Sequence, residues 1–150
     1  MLLQPRARFG ETSAELLSLH FLVNEGALLS VCRDDSIHLW NLRQKRPESV
    51  HSLQFQKEAV TCVELPFASQ WFYVGPQRGN VHVASLADCS LSGYVVNWNK
   101  AIDLREKTHP GQVKHLSECP TAQGKLLIGF EKGTIVLWDL RAKLADSRYC

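Results

Sequence analysis

The segment that decides the fold is Glu131-Lys132-Gly133-Thr134-Ile135-Val136-Leu137-Trp138-Asp139-Leu140-Arg141, a tight turn followed by an alternating apolar strand that ends in Trp-Asp. Two earlier segments align with it position for position, Asp34 to Arg43 and Arg78 to Leu86. Self-similarity of this kind is typical of repeat architectures, in which one supersecondary unit recurs along the chain. The sequence therefore predicts an array of one sheet-forming unit.

The spacing of the repeated turn identifies the unit. The equivalent turn positions Asp35, Gly79 and Gly133 lie 44 (79 − 35) and 54 (133 − 79) residues apart. The first spacing matches the roughly 40–45 residues of a WD-type propeller blade. The second spacing indicates an insertion of about ten residues, which we place at Asn99 to Thr108.

Short apolar runs separated by turn residues continue this unit through the chain, four runs to each repeat. Four short antiparallel strands in a meander make one propeller blade. We therefore predict an all-β chain, a WD-type β-propeller with about three four-stranded antiparallel blades of an incomplete ring. The expected divisions are an unstructured lead-in at 1–13, blades at 14–56 and 57–98, a connector or insertion at 99–110, and a blade at 111–150 that is truncated in its last strand.

The third strand of each unit shows which residues a blade needs. With a period of two, Ile37/Leu39, Val81/Val83 and Ile135/Leu137 face one side of their sheets, and His38, His82 and Val136 face the other. The set of four hydrogen-bonded side chains that is typical of a WD repeat is incomplete in this chain. Ala84 replaces the tryptophan of the second unit, and Lys132 replaces an aspartate in the third. The third unit does have a histidine before it, His109. We assign structural blade roles to six residues: Asp35, Trp40, Gly79, Gly133, Trp138 and Asp139.

Composition excludes several classes. A net charge of +2 and scattered Lys/Arg give no nucleic-acid footprint. No apolar stretch has the length of a secretory signal core or of a membrane span, so we expect an intracellular soluble chain. The cysteines show neither CxxC pairs nor framework spacing, which favours reduced thiols over a zinc site or disulfides. They are Cys32, Cys62, Cys89, Cys119 and Cys150.

No catalytic motif is present in the sequence. The six histidines lack an HExxH pattern, and neither a GxSxG motif nor a phosphate-binding glycine loop occurs. The pair Asp34-Asp35 fits a turn better than a metal site. The run Arg43-Gln44-Lys45-Arg46 is a solvated loop, or else a contact for an acidic protein or lipid headgroups. We predict no catalytic, cofactor-binding or metal-binding residue, and no enzyme activity.

Three segments resemble a known family. Asn24 to Pro47 and Leu91 to Leu104 are similar to the syntaxin-binding tomosyn branch of the lethal giant larvae family of WD-repeat proteins, and Gly124 to Phe130 is similar to the family more broadly. The resemblance covers roughly residues 14–149. Its most specific part is the connector Trp98 to Ile102.

The resemblance implies two seven-bladed propellers followed by a C-terminal helix that pairs with syntaxin and SNAP-type SNARE proteins, restraining vesicle exocytosis. It also implies a cytoplasmic protein with peripheral association at the plasma membrane. Lys143 to Cys150 shows no heptads, so this chain is expected to be a fragment without the SNARE-like helix. The candidate interaction loop comprises Trp98, Asn99, Lys100 and Arg105.

Two other functions remain open from the sequence. One is a cell-polarity and secretion scaffold of the lethal giant larvae type, which uses the same propeller fold. The other is an enzyme built in the central funnel of a propeller, since one fold hosts many functions. The enzyme would need acids or a nucleophile with a histidine partner converging from several blades, and the sequence offers no candidates.

Overall fold

The computed structural model describes residues 14–102 and 108–149 of the 150-residue chain. Twelve strands and one short helix are formed in these residues. In order they are β1 (Leu16–Leu22), β2 (Ala27–Cys32), β3 (Ser36–Asn41), β4 (Glu48–Gln54), β5 (Val60–Glu64), β6 (Trp71–Pro76), β7 (Val81–Ser85), β8 (Ser90–Val96), α1 (Trp98–Ala101), β9 (Val113–Glu118), β10 (Lys125–Phe130), β11 (Ile135–Asp139) and β12 (Leu144–Tyr149).

The strands form three four-stranded antiparallel sheets, β1 to β4, β5 to β8 and β9 to β12, each in sequential order. We call these sheets blades 1, 2 and 3. The predicted all-β class and the four-stranded meander are confirmed, and the three blades form an open array. The predicted lead-in at 1–13 lies outside the described residues.

The last described strand is β12, in the blade for which the sequence predicted a truncated last strand. β12 pairs with β11 from Leu144 to Tyr149. Lys143 adopts a left-handed φ of 56° and donates its backbone N–H to the Asp139 carbonyl, which closes the turn immediately before Leu144. The six-residue strand is only one residue shorter than β4 and β8.

The repeated turn has the backbone conformation that the sequence indicates. Asp35, Gly79 and Gly133 have φ values of 65°, 89° and 94°. This left-handed region is open to glycine and tolerated by aspartate. Gly79 is also tightly enclosed, because a Cβ there would lie 3.2 Å from the carbonyl oxygen of Gly111 and 3.3 Å from the Trp98 Cβ.

Two hydrophobic cores lie between the blades, and blade 2 contributes to both. The core between blades 1 and 2 includes Leu29, Ile37, Phe72 and Val74. The core between blades 2 and 3 includes Val81, Val96, Val113, Leu126, Ile128, Val136 and Trp138. Successive residues of a blade 2 strand therefore face different neighbours, as a period of two requires.

The third strands keep the same facing in every blade. Ile37 and Leu39 face blade 2, and Val81 and Val83 face blade 3. The equivalent Ile135 is 40% exposed on the outward face of blade 3. Val136, on the opposite face of that strand, is fully buried against blade 2. The predicted division of each strand into two faces is thus present, and the neighbouring blade decides which face is buried.

The tryptophan position shows how a divergent repeat stays packed. Trp40 lies opposite Leu28, and its indole Nε1 donates to Ser30 Oγ at 2.8 Å. In blade 2 the small Ala84 lies opposite the large Phe72, and both are fully buried. Phe72 stands where blade 1 has Leu28, so it offsets part of the volume that is lost when alanine replaces tryptophan.

Candidate functional site

The meander divides the blade connections between two rims. The turns β2–β3, β6–β7 and β10–β11 lie at one end of the strands, together with the segments that join consecutive blades. We call this end the connector rim. The turns β1–β2, β3–β4, β5–β6, β7–β8, β9–β10 and β11–β12 lie at the other end, which we call the hairpin rim. Loops at such rims are where a rigid scaffold displays binding residues.

On the connector rim, the predicted interaction loop begins with α1. The backbone N–H of Trp98 donates to Asn80 Oδ1 at 3.0 Å, which fixes the start of the helix to the β6–β7 turn. Ala101 is fully buried, and its carbonyl accepts from Arg148 Nε of β12 at 2.8 Å. These contacts hold a four-residue helix that would be unstable alone.

His109 is packed beside this helix. Its ring centroid lies 4.5 Å from that of Trp98. The N–H of Gly111 donates to His109 Nδ1 at 3.0 Å, so Nδ1 is an acceptor and the proton resides on Nε2, which donates to the Arg78 carbonyl at 2.8 Å. The sequence paired His109 with the third unit, but the histidine binds the β6–β7 turn of blade 2. It holds the connector against the blade that precedes it.

Glu58 is a buried carboxyl on the same rim. Its side chain is 6% exposed, and Oε2 lies 3.9 Å from Nε of Arg78, a side chain that is 79% exposed. In the described part of the chain, Oε1 has no hydrogen-bond partner. Burial raises the pKa of Glu58, and the charge of Arg78 and a backbone hydrogen bond from Arg78 oppose this rise. Sequence reasoning missed this residue because no spacing signal marks it.

The residues of the predicted interaction loop differ in their exposure. Trp98 is half-buried, whereas Asn99 and Lys100 are exposed. Arg105, the fourth residue of the predicted loop, lies outside the described residues. Among the structural blade positions, Asp35 and Asp139 act through their carboxylates. Asp35 Oδ1 accepts from the Val60 N–H of blade 2 at 2.8 Å.

Asp139 forms the β11–β12 turn on the hairpin rim. Its Oδ1 accepts the backbone N–H groups of Arg141 and Ala142, each at 2.9 Å. The Ala142 N–H is the main reason that the pKa of Asp139 is lowered. A side-chain oxygen that binds the backbone two and three residues ahead is a common way to close a turn. Asp139 therefore has a turn-forming role.

A second surface lies on the hairpin rim between blades 1 and 2. A shallow pocket of about 160 Å³ separates the β1–β2 and β5–β6 hairpins, with Phe21 and Phe67 in its lining. Phe21 is 70% exposed and Phe67 is 77% exposed. Sequence reasoning did not single out this pocket. The one signal for it was a bulky apolar residue inside a turn, in Pro66-Phe67-Ala68-Ser69.

The thiols and carboxylates do not converge. Cys32, Cys62, Cys89 and Cys119 are free, and burial raises the pKa of Cys62 to about 11 and that of Cys89 to about 12. Asp34 Oδ1 accepts from the Ser36 N–H at 3.1 Å, so the adjacent aspartates bind different partners. Within residues 14–102 and 108–149, no group of three His, Cys, Asp or Glu side chains is placed to hold a metal ion.

No protein-family model matches the chain. The chain is similar to lethal giant larvae family proteins at 22–30% identity. The mouse LLGL scribble cell polarity complex component 2 is 30% identical over 89% of this chain, and the fruit fly lethal(2) giant larvae protein of Drosophila melanogaster is 22% identical over 94%. The chain spans only 15% and 14% of the length of these curated relatives.

The fold is shared with a WD40 β-propeller in a crystal structure of the mitotic checkpoint complex, with a TM-score of 0.67 at 16% sequence identity. The match covers 89% of this chain and 37% of that one. In the described residues, no helix has the length and apolar character needed to cross a membrane.

Proposed function

We propose that this chain is part of a non-enzymatic interaction scaffold of the lethal giant larvae type. The main supporting observation is the 30% identity with the mouse polarity component across 89% of the chain, together with the three four-stranded blades of the described residues. Because the chain spans about 15% of that relative, the proposal concerns its contribution of about three blades to a longer protein.

Cell polarity is the favoured setting. The relatives include the LLGL scribble cell polarity complex component 2 of mouse and human and the lethal(2) giant larvae proteins of two fruit flies. By analogy, the protein acts in the cytoplasm and associates peripherally with the plasma membrane. Analogy of fold alone would not support this, since propellers host many functions.

A second candidate is tomosyn-type regulation of SNARE-dependent exocytosis, with syntaxin and SNAP-type proteins as partners. The supporting observation is the segment Trp98 to Ile102, the most specific part of the family resemblance. In the fold this segment lies on the connector rim. Asn99 and Lys100 are exposed there, and Trp98 is held by Asn80 and His109. We propose Trp98, Asn99, Lys100 and Arg105 as a protein contact surface.

The two candidates are separated by co-precipitation of the full-length protein that contains this chain. Preferential recovery of scribble-type polarity proteins supports the first candidate, and preferential recovery of syntaxin with a SNAP-type protein supports the second. If neither class of partner were recovered, both candidates would be refuted. The contact surface is tested with an Asn99→Ala/Lys100→Glu double variant, whose matched control is Lys114→Glu on β9. We expect the double variant to lower partner recovery and the control to leave it unchanged.

A further inference from the structure

We propose that the pocket on the hairpin rim of blades 1 and 2 binds an acidic peptide segment that inserts one bulky apolar side chain. This goes beyond the proposed function, which assigns binding to the connector rim. The hairpin rim carries a shallow, largely apolar concavity with one wall ordered by hydrogen bonds and a basic loop beside it. These three properties together specify the occupant.

The size and chemistry of the pocket fit one side chain. Its walls include Phe21, Leu22, Leu65 and Phe67, and its volume is about 160 Å³. An apolar protein cavity of roughly 150 Å³ accommodates a benzene molecule, so this pocket is large enough for an aromatic or branched aliphatic group. The two phenylalanines are unusual on a solvent-facing rim, because removing large apolar side chains from water lowers the free energy of a protein.

Hydrogen bonds fix one wall of the pocket. Ser69 N–H donates to the Pro66 carbonyl at 3.3 Å. Ser69 Oγ also accepts from the Trp71 N–H at 3.0 Å and donates to the Trp71 carbonyl at 2.8 Å. Ala68 is held at a φ of 53°. A wall that is ordered before binding lowers the entropy cost of association.

The adjacent β3–β4 loop supplies positive charge. Arg43, Lys45 and Arg46 are exposed, and none of them forms an ion pair within the described part of the chain. Arg43 Nη2 donates to the Asn24 carbonyl at 3.2 Å, which joins this loop to the β1–β2 hairpin of the pocket. Glu25 is the charged residue in the pocket lining. The three cations outnumber it and favour acidic residues on the partner.

The shape of the site favours a peptide over a lipid surface. A bilayer is bound by apolar groups that protrude into the interface, usually from the apolar face of an amphipathic helix. Here Phe21 and Phe67 come from two different hairpins and line a shallow concavity whose lining also includes the partly buried Leu22 and Leu65, an arrangement by which proteins bind a discrete side chain. Binding to vesicles is the competing outcome in the experiment.

The experiment selects binders for the 150-residue chain from a display library of random dodecapeptides, and the most enriched sequence is synthesised with a fluorescent label. We expect the enriched peptide to contain one bulky apolar residue, with at least two acidic residues within a span of about one or two helical turns of it. Phe67→Ser should weaken binding roughly tenfold or more, the loss typical of a central anchor contact. The matched control is Leu144→Ser, a residue that is 51% exposed on β12 of blade 3.

Charge is tested with Lys45→Gln/Arg46→Gln, and Lys114→Gln/Lys132→Gln serves as its control. The first pair should weaken peptide binding at about 0.05 M salt and have little effect at about 0.5 M, where exposed charges are screened. Enrichment of peptides that do not depend on Phe67 would overturn the proposal. So would Phe67-dependent binding to vesicles containing phosphatidylserine in the absence of peptide binding. Neither result would bear on partner recovery at the connector rim, so the two proposals fail separately.

Discussion

The two interfaces between blades are built from equivalent positions and yet differ in how they are joined. Between blades 2 and 3, Tyr94 Oη donates to the Leu140 carbonyl at 2.8 Å and accepts from Trp138 Nε1 at 3.1 Å. Thr61 Oγ1 also donates to the Val113 carbonyl. Between blades 1 and 2, the Asp35 carboxylate binds the Val60 N–H, and the Cys89 thiol lies 3.8 Å from the Ile37 carbonyl.

The packing between the first strands of the blades, β1, β5 and β9, shows the same difference between the two interfaces. β5 and β9 pack closely, whereas a cavity of about 200 Å³ separates β1 and β2 from β5. His20 lies in the lining of this cavity, and burial lowers its pKa. The space is open to solvent, so the side chains of β1, β2 and β5 that line it lack the close packing that β9 gives to β5. The interface of blades 2 and 3 is therefore the better joined of the two.

One position explains part of the difference. Trp40 lies opposite Leu28, and Trp138 lies opposite Leu126. Two positions after these leucines come Ser30 in β2 and Ile128 in β10. Trp40 donates to that serine within its own blade. Trp138 meets an isoleucine there and donates instead to Tyr94 of the neighbouring blade. A buried N–H needs an acceptor, so losing the local one creates a bond between blades.

The largest effect should come from Trp138→Ala. Trp138 is 2% exposed at the interface of blades 2 and 3, and truncating a buried tryptophan costs about 3–5 kcal/mol of unfolding free energy. Ile135→Ala on the outward face of the same strand should cost less than about 1 kcal/mol, because Ile135 is 40% exposed. Urea unfolding of the whole chain measures both, and equal losses would contradict the assignment of the two faces.

Tyr94→Phe should have the next largest effect. It removes the acceptor of the Trp138 N–H and leaves that group buried, at a cost of about 1–3 kcal/mol. The comparable change in blade 1 is Ser30→Ala, which strands the Trp40 N–H. A double-mutant cycle of Tyr94→Phe with Trp138→Phe should give a coupling energy of about 1 kcal/mol across the interface. Additive losses would show that the bond contributes nothing.

Asp35→Gly tests the corresponding bond between blades 1 and 2. Glycine retains the left-handed backbone but loses the acceptor of the Val60 N–H, so we expect a loss of about 0.5–1.5 kcal/mol. Asp35→Ala should cost about 1–2 kcal/mol more, because alanine is strained in that region. Thermal unfolding of the two variants separates the conformational role from the hydrogen bond. A smaller loss for alanine than for glycine would reverse this account.

Glu58→Gln should have the smallest effect, and its sign depends on pH. Since burial raises the folded-state pKa of Glu58 above 4.5, the folded chain binds the proton more tightly than the unfolded chain. The resulting stability is fully present below pH 4.5 and is lost as the pH rises through the folded-state pKa. The variant should therefore gain melting temperature relative to the parent between pH 4 and pH 7. A relative loss over that range would refute the argument.

The blades were predictable because their signals are local. Asp35, Gly79 and Gly133 mark turns through backbone conformation, and alternation within a strand sets the two faces. The bridge from Tyr94 to Trp138 was not predictable, because these residues are 44 positions apart and no spacing rule brings them together. Ala84 shows the same limit, since its partner Phe72 becomes apparent only once the register of β6 and β7 is known.

The two proposed interaction sites were less accessible to sequence reasoning. Trp98, Asn99 and Lys100 came from a family resemblance, and the structure places them on a rim next to His109. The pocket at Phe21 and Phe67 joins the loops of two blades, so neither hairpin contains the whole signal. Glu58 was missed because no spacing pattern relates it to Arg78, which lies 20 positions away in the chain and 3.9 Å away in the fold.

The sequential order of strands in each sheet has a consequence for synthesis on the ribosome. Blade 1 is contained within residues 16–54 and blade 2 within residues 60–96, so every strand pair of a blade can form before the next blade emerges from the ribosome. Domains generally fold in the order in which they are made, at about 5–20 residues per second. Each nascent blade would expose one apolar face until its successor emerged, a delay of a few seconds in which a chaperone has access to it.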